Sequence, residues 1–491
     1  MTASQQQEAG ASGPLAVFLL LLLLTGCPIV HAAGAGAEAR RQHYMVVQTS
    51  YLEPKSICSG LKVIPSGKGA WVPLRRPYGP CSSPASAPPP SLVELLQWDR
   101  VRTDYVRRTT TGGDVLDPDN ARVAMSQVDY KLEGSFIIGS GGRRPRSTAE
   151  DGGDDAMFLS QTMAIDTTVD VPWIQCLPCP FPQCYPQRDA FFDPKRSSTA
   201  AAVRCGSRAC RALGAFANGC TKHSNNSAGE CKYLIKYGDK WSSAGTYMTD
   251  TLTLSPSITF LNFRFGCSHA VRGNFSSQTS GTMSLGGGTQ SLIAQIARTL
   301  GYAFSYCVPQ SSATGFLSLG GPVDGASSFV TTPLLGNAEF INPSIYIVRL
   351  QGINVAGRRL NVPPVVFSGG TVMDSSSIVT QLPPTAYRAL RRAFTRAMTG
   401  YPRRRGRVEN LDTCYDLGAF TNVTVPAVSL VFEGGAVVKL DPPAVLLEGC
   451  LAFTAVNTDF ALGFMGNVQQ QTQEVLFDVD AGVVGFRRGA C

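Results

Sequence analysis

The hydrophobic positions of this chain fall into many short runs rather than a few long ones. Alternation of apolar and polar residues is the period-two signature of a half-buried strand. It recurs at 258–266, 344–350, 427–432 and 474–480. In the last of these Val475, Phe477 and Val479 share one face. Asp480, Ala481 and Gly482 then supply a turn before the pattern resumes at 483–486. Helical periodicity is scarce. Pro384 opens one helix, with Tyr387, Leu390, Phe394 and Met398 on a single face and Gly400 at its end. Ser291 caps another through Leu292, Ile293 and Ile296. A third starts at Ser91, which forms a capping box with Glu94, and carries the apolar stripe Leu92, Leu95, Leu96, Val101 and Tyr105. Its far end is basic, with Arg100, Arg102, Arg107 and Arg108. The pattern predicts an all-β protein with a few short helices. The 50 Gly and 32 Pro agree with turn-rich β structure.

Two stretches stand out against this background. Met163, Ala164 and Ile165 are apolar and run directly into Asp166, with Thr167, Thr168 and then Trp173 beyond it. Far downstream Val372 and Met373 run into Asp374, followed by Ser375, Ser376 and Ser377. A carboxylate at the end of a buried strand is costly unless it is hydrogen-bonded or paired. Two copies of the arrangement predict two similar halves that bring a pair of carboxylates together, as general acid/base chemistry requires.

At 491 residues there is room for a prosegment and two lobes. Residues 33–125 read as a separate unit with a Pro/Ser/Ala linker at 82–90. The strand pattern begins near 126 and divides into lobes at 126–340 and 341–491. A basic helix before the lobes suits a segment that covers an acidic cleft until it is removed; an accessory helix without that role is the other reading. The net charge of +8 is modest, and Arg403, Arg404, Arg405 and Arg407 cluster. No aromatic residues interleave with them, which argues against nucleic acid. A solvated loop, a phosphate or polyanion site and a processing site remain open.

Residues 15–24 form an apolar run too short to span a bilayer, and small residues follow at Ala32 and Ala33. This predicts a signal peptide at 1–32 and a secreted chain without a stable membrane span. Glu8 and the lack of a preceding Lys or Arg leave a signal anchor as the alternative. The cysteines agree with secretion. Cys27 leaves with the signal, and Cys58 and Cys81 precede the lobes. The even set of Cys176, Cys179, Cys184, Cys205, Cys210, Cys220, Cys231, Cys267, Cys307, Cys414, Cys450 and Cys491 remains. A redox pair at Cys176 and Cys179 wants a helix start, whereas Pro178, Pro180 and Pro182 make a loop. A zinc site needs reduced thiolates. A disulfide-stapled excursion without metal is the expectation. Asn225, Asn274 and Asn422 are glycosylation acceptors by sequence.

The two Asp motifs, Tyr237-Gly238-Asp239, Phe265-Gly266-Cys267, Phe304-Ser305-Tyr306-Cys307 and Gly463-Phe464-Met465-Gly466-Asn467 resemble the pepsin-type aspartic proteases. More narrowly they are similar to the plant nepenthesin-like branch, with its cysteine-rich insert after the first Asp motif. The match spans about 126–491, and 33–125 resembles that branch's propeptide, including Tyr78-Gly79-Pro80-Cys81. The resemblance implies a bilobal β fold with a central cleft and Asp166 and Asp374 as the catalytic dyad. It implies Thr167, Ser375 and Ser377 as dyad support. Tyr237 would lie on a flap over the substrate, with Trp173 hydrogen-bonded to it. The implied activity is that of a secreted acid endopeptidase, synthesised as a zymogen. It would be a monomer acting on polypeptides without a cofactor, in the apoplast or the vacuole.

Several positions depart from the family pattern. The motif Gly is replaced by Thr168 and by Ser376, although neither change removes the backbone N–H that steadies the carboxylate. The hydroxyl expected next is kept as Ser377 but is lost at Val169. Lys240 and Trp241 replace a Gly-Ser pair in the flap, and Ser284 replaces a structural Gly whose second-lobe partner, Gly466, is intact. The changes gather on the first-lobe side. They predict an active enzyme of reduced rate, against the alternative of a weak or inactive pepsin-fold protein that binds or inhibits other proteins.

Overall fold

A strand covered on both faces loses its alternation and is buried throughout. The strand that ends at Asp166 is such a case. Ser160–Asp166 is buried from its second residue onward. It lies parallel to Gly281–Ser284 and antiparallel to Glu133–Ile138. The second half repeats the device with Thr371–Met373, buried along its length and parallel to Gly463–Met465. The computed structural model describes residues 43–489 except 53–56, 59–68, 82–88, 112–131, 141–159, 222–228, 238–240, 274, 311–312, 323–324, 337–341 and 343. The expected signal peptide, most of the linker at 82–90, Asn225, Asn274, Cys491 and flap residues 238–240 lie outside the described residues.

Among the described residues the first half is built on a nine-stranded sheet, and the second on sheets of five and four strands. A six-stranded sheet joins them. It runs Val330–Pro333, Val483–Arg488, Gln473–Asp478, Ala303–Cys307, Gly315–Leu319 and Trp71–Leu74. Phe304 stacks on Phe477 at 4.7 Å within it. One apolar core continues from this sheet into both halves, which fixes the two Asp strands relative to each other. The fold is therefore the all-β architecture that the short alternating runs predict, in the pepsin-like form that the resemblance implies.

The N-terminal segment is woven into this frame. Tyr44–Gln48 pairs antiparallel with Asn422–Pro426, and Trp71–Leu74 supplies an edge of the joining sheet against Gly315–Leu319. Asn422, the one described sequon asparagine, is exposed at the start of its strand. The helix Leu92–Thr111 follows, capped as expected: Ser91 N–H donates to Glu94 Oε2 at 2.8 Å, and Glu94 N–H donates to Ser91 Oγ at 3.3 Å. Its rotation differs from the sequence expectation. Val101 and Tyr105 are only half-buried, while Asp99, Arg102, Thr103 and Val106 face inward with Leu95 and Leu96. An apolar stripe marks the inward face only where the partner surface is apolar, and around Arg102 this helix meets a polar one.

The other two helices, Leu292–Leu300 and Pro384–Ala397, bury the faces their patterns predict. The cysteine-rich excursion is stapled by Cys176–Cys267, Cys179–Cys184, Cys205–Cys220 and Cys210–Cys231. Cys58–Cys81 and Cys414–Cys450 close other loops, and Cys307 is disulfide-bonded as well. No helix among the described residues is long and apolar enough to cross a membrane.

Candidate active site

Asp166 is the last residue of its strand and Asp374 follows directly on Thr371–Met373; both are fully buried. Each carboxylate accepts the backbone N–H two residues on. Thr168 N–H donates to Asp166 Oδ1 and Ser376 N–H to Asp374 Oδ1, both at 2.9 Å. Replacing the motif glycines has thus left these bonds in place. The two turns also hold each other. Ser375 N–H donates to Thr167 Oγ1 at 3.1 Å and Thr167 N–H donates to Ser375 Oγ at 3.3 Å. Ser376 Oγ reaches across to the Ile165 carbonyl at 3.3 Å. Buried polar groups satisfied in this reciprocal way fix the spacing of the pair.

Ser377 Oγ donates to Asp374 Oδ2 at 2.5 Å. The sequence reading assigns Asp166 no matching hydroxyl, because Val169 stands where one is expected. The structure corrects this. Thr168 Oγ1, carried by the residue that replaced glycine, donates to Asp166 Oδ1 at 2.8 Å. A β-branched hydroxyl residue at the glycine position turns its Oγ1 onto the carboxylate, so one substitution offsets the other. Ser284 is accommodated in a similar way: it is fully buried and donates its hydroxyl to the Val171 carbonyl at 2.9 Å. At Gly466 a Cβ would lie 2.5 Å from the Ile378 carbonyl oxygen, so that position excludes any side chain.

The helix Leu92–Thr111 places Arg102 between the two carboxylates. Nη1 of its guanidinium donates to Asp374 Oδ2, and Nη2 donates to Asp166 Oδ1 at 3.0 Å and to Thr168 Oγ1 at 2.9 Å. Burial by itself pulls the arginine pKa down, but Asp374 and Asp166 more than offset it and hold the group above its ordinary value. One turn earlier, Asp99 is buried with Oδ1 accepting from Ile378 N–H at 3.0 Å and Oδ2 without a hydrogen bond. Burial raises its pKa to about 7, and Asp374 adds to the rise against the pull of the Ile378 N–H and Arg102. The helix is further seated by Gln381 Nε2 on Thr103 Oγ1 at 2.9 Å, Arg107 Nε on the Leu462 carbonyl at 3.0 Å and Gln97 Nε2 on Glu409 Oε2 at 3.1 Å.

Tyr237 directly follows the strand Cys231–Lys236, and its hydroxyl accepts from Trp173 Nε1 at 2.6 Å. Burial pushes the Tyr237 phenol pKa well up, keeping it neutral. Phe275 packs edge-on to Trp173 at 5.4 Å and to Tyr237 at 5.9 Å. Tyr237 and Phe275, with Trp241, Thr282 and the Arg102 side chain, line a pocket beside the dyad. Trp241, which replaced a small flap residue, is buried over Gly273, where a Cβ would lie 1.8 Å from its ring. The structure thus brings Asp166, Asp374, Thr167, Ser375, Ser377, Tyr237 and Trp173 to one place. The sequence reading missed Arg102 as the residue on the dyad, Asp99, Thr168 as a hydroxyl donor, and Phe275. The spacing of Leu95, Asp99, Arg102 and Val106 is the signal that marks the first two as inward-facing.

Residues 158–321 match the family model described as xylanase inhibitor N-terminal, and 345–488 match xylanase inhibitor C-terminal. The aspartyl protease AED1 of Arabidopsis thaliana is 37% identical over 97% of this chain and 98% of its own length. The aspartic proteinase nepenthesin-2 of Nepenthes gracilis is 32% identical over 67% of this chain and 74% of its own. Among solved structures, soybean basic 7S globulin superposes with a TM-score of 0.55 at 19% identity, covering 73% of this chain and 91% of that one. The structure titled edgp gives a TM-score of 0.58 at 15% identity, over 87% and 96% of the two chains. The paired Asp strands lie within the two matched domains, and the chain belongs to the pepsin-like aspartic protease family of plants.

Proposed function

We propose that this chain is the precursor of a secreted acid endopeptidase whose dyad, Asp166 and Asp374, is locked by Arg102 until the helix Leu92–Thr111 leaves. The observation that carries the reading is that a single guanidinium bonds both carboxylates. Two carboxylates close enough to share one guanidinium cannot both stay ionised once it is gone. A carboxylate pair of this kind shares one proton. The ionised member then removes a proton from a water as that water attacks the scissile carbonyl carbon. The protonated member donates its proton to the carbonyl oxygen. The C–N bond of the resulting tetrahedral diol breaks as a proton passes to the departing nitrogen. Ser377 and Thr168 stabilise the ionised form through their hydroxyls. The pocket under Tyr237, Phe275 and Trp241 suits an apolar side chain of the polypeptide substrate.

Secretion is supported by the apolar run at 15–24 and by the disulfide network, since such bridges persist in oxidising compartments. Acid operation follows from the shared proton. The test compares the full-length secreted chain, the chain trimmed between 112 and 125, and trimmed Asp374→Asn on a quenched fluorescent peptide from pH 3 to 7. The expected result is activity in the trimmed chain, little in the full-length chain and none in a folded Asp374→Asn variant. A trimmed, folded chain that is inert and fails to bind pepstatin overturns the reading.

A further inference from the structure

The basic cluster singled out in the sequence takes no part in the dyad, the pocket or the helix seat. Eight arginines, Arg388, Arg391, Arg392, Arg396, Arg403, Arg404, Arg405 and Arg407, fall within residues 384–420, against the three carboxylates of Glu409, Asp412 and Asp416. Residues 1–125 carry twelve basic and nine acidic side chains, which leaves a net +5 for residues 126–491. The stretch 384–420 accounts for all of it, so the rest of the two-lobed body is balanced.

The fold sets the helix that carries four of these arginines beside the loop that carries the other four. In the helix Pro384–Ala397 the core face is Ala386, Tyr387, Leu390 and Phe394. Arg388, Arg392 and Arg396 are exposed on the opposite face, each four residues from the next, in a row about 12 Å long. The arginine loop folds back beside it. Arg391 pairs with Asp412 at 3.4 Å, and Arg403 Nη2 donates to the Asp412 carbonyl at 3.3 Å, so the segment at Asp412 ties helix and loop together. Of the three carboxylates, Asp412 is engaged by Arg391 and by the Tyr387 hydroxyl at 2.5 Å. Glu409 is engaged by Gln97 and, at 3.8 Å, by Arg100. Asp416 is exposed. Arg392, Arg396, Arg404, Arg405 and Arg407 have no carboxylate within 4.0 Å among the described residues.

We propose that this surface docks a linear anionic polysaccharide bearing carboxylate or sulfate groups. Every cation in it is arginine, whose planar fork bonds such groups two atoms at a time. No exposed large hydrophobic residue lies within 384–420, so the surface lacks the apolar anchors of a protein hot spot or a membrane-inserting face. Of its aromatics, Tyr387, Phe394 and Tyr415 are buried, and the half-buried Tyr401 and Phe420 pack edge-on to each other at 5.0 Å, so no exposed ring is offered for bases to stack on. What is left is charge in a row, which fits a flexible polyanion without a stacking or apolar component. This docking does not depend on the state of the dyad.

The test uses the full-length chain on immobilised polygalacturonate and heparin, with neutral dextran as control, across salt concentration. One variant carries Arg403→Gln, Arg404→Gln, Arg405→Gln and Arg407→Gln. A control variant removes the same charge elsewhere, at the exposed Arg196, Arg204, Arg208 and Arg211, each to Gln. The expected result is salt-sensitive retention on one or both polyanions, weakened roughly 30-fold in the cluster variant, as four exposed charge contacts would give, and unchanged in the control. Equal loss in both variants, or no retention at low salt, overturns the proposal. So does tighter binding at matched salt to duplex DNA or to phosphatidylserine vesicles.

Discussion

Replacing Arg102 by glutamine removes the cation that bridges Asp166 and Asp374 while leaving the apolar part of the helix seat intact. Leu92, Leu95, Leu96, Trp98 and Val106 remain buried, and the bonds that Gln97 and Arg107 donate and that Asp99 and Thr103 accept are untouched. Arg102 is nearly fully enclosed, with its side chain 8% exposed against 0% for both carboxylates, so solvent screens the pair little. Removing one partner of a buried, hydrogen-bonded ion pair costs about 3–5 kcal/mol, much of it from the charge left without a counterion. Here that cost falls on the docked state alone, because the undocked helix has its arginine in water. The docking equilibrium should shift by roughly 150- to 4,000-fold. The assay is the initial rate of peptide cleavage by full-length chain relative to the same chain trimmed beyond the helix, at mildly acidic pH. The ratio should rise by that factor in Arg102→Gln, up to equality with the trimmed rate. Arg108→Gln, which removes the same charge from the same helix away from the dyad, should leave the ratio unchanged. If full-length Arg102→Gln is as silent as the parent while its trimmed form is active, the ion pair is not the lock and the reasoning fails.

Thr168→Val removes the hydroxyl on Asp166 without changing shape. A hydrogen bond to a charged group is worth about 1.5–3 kcal/mol, so kcat of the trimmed chain should fall roughly 10- to 150-fold, with the acid limb of its pH profile moved upward. Thr168→Ser should keep the parent's profile, and Thr168→Gly/Val169→Ser should match it because the hydroxyl only changes its carrier; an unchanged Thr168→Val profile would remove Thr168 from the site. Asp99 tests the opposite charge. Its pKa in the docked helix is about 7, above the ordinary value of about 3.9 in the undocked one. Between those pH values the docked state holds a proton that the undocked state does not, so Asp99 favours docking fully below about pH 4 and loses that contribution as pH rises through 7. Asp99→Asn mimics the protonated acid and should keep helix protection from hydrogen exchange level from pH 4 to 7.5, where the parent's protection declines; parallel pH dependence in the two chains would show that Asp99 stays ionised.

Much of the architecture was legible because strand formation is a local matter of period and turn chemistry. The alternating runs at 427–432 and 474–480 fall on the strands Val428–Phe432 and Gln473–Asp478, and the Pro384 helix and the Ser291 cap lie where their patterns put them. The two Asp motifs announced their pairing because a carboxylate at the end of an apolar strand has few other stable uses. Register and rotation were not legible in the same way. Val101 and Tyr105 look like the inward stripe of the N-terminal helix, yet the helix turns Asp99 and Arg102 inward. The surface it meets is set by residues from two lobes, Asp166 from one and Asp374 and Ile378 from the other.

Thr168 shows the same limit at the scale of one side chain. By itself the sequence determined that a glycine and a hydroxyl were both missing beside Asp166. Only the tertiary structure decided that the replacement for the first restores the second. The position of Thr168 Oγ1 depends on the backbone turn, and that turn is held by Ser375 and Ser376 from the other half of the chain. A pattern along the chain reports which groups want burial. Which charge sits against which is decided by distances between segments far apart in sequence, and electrostatic energy depends on those distances.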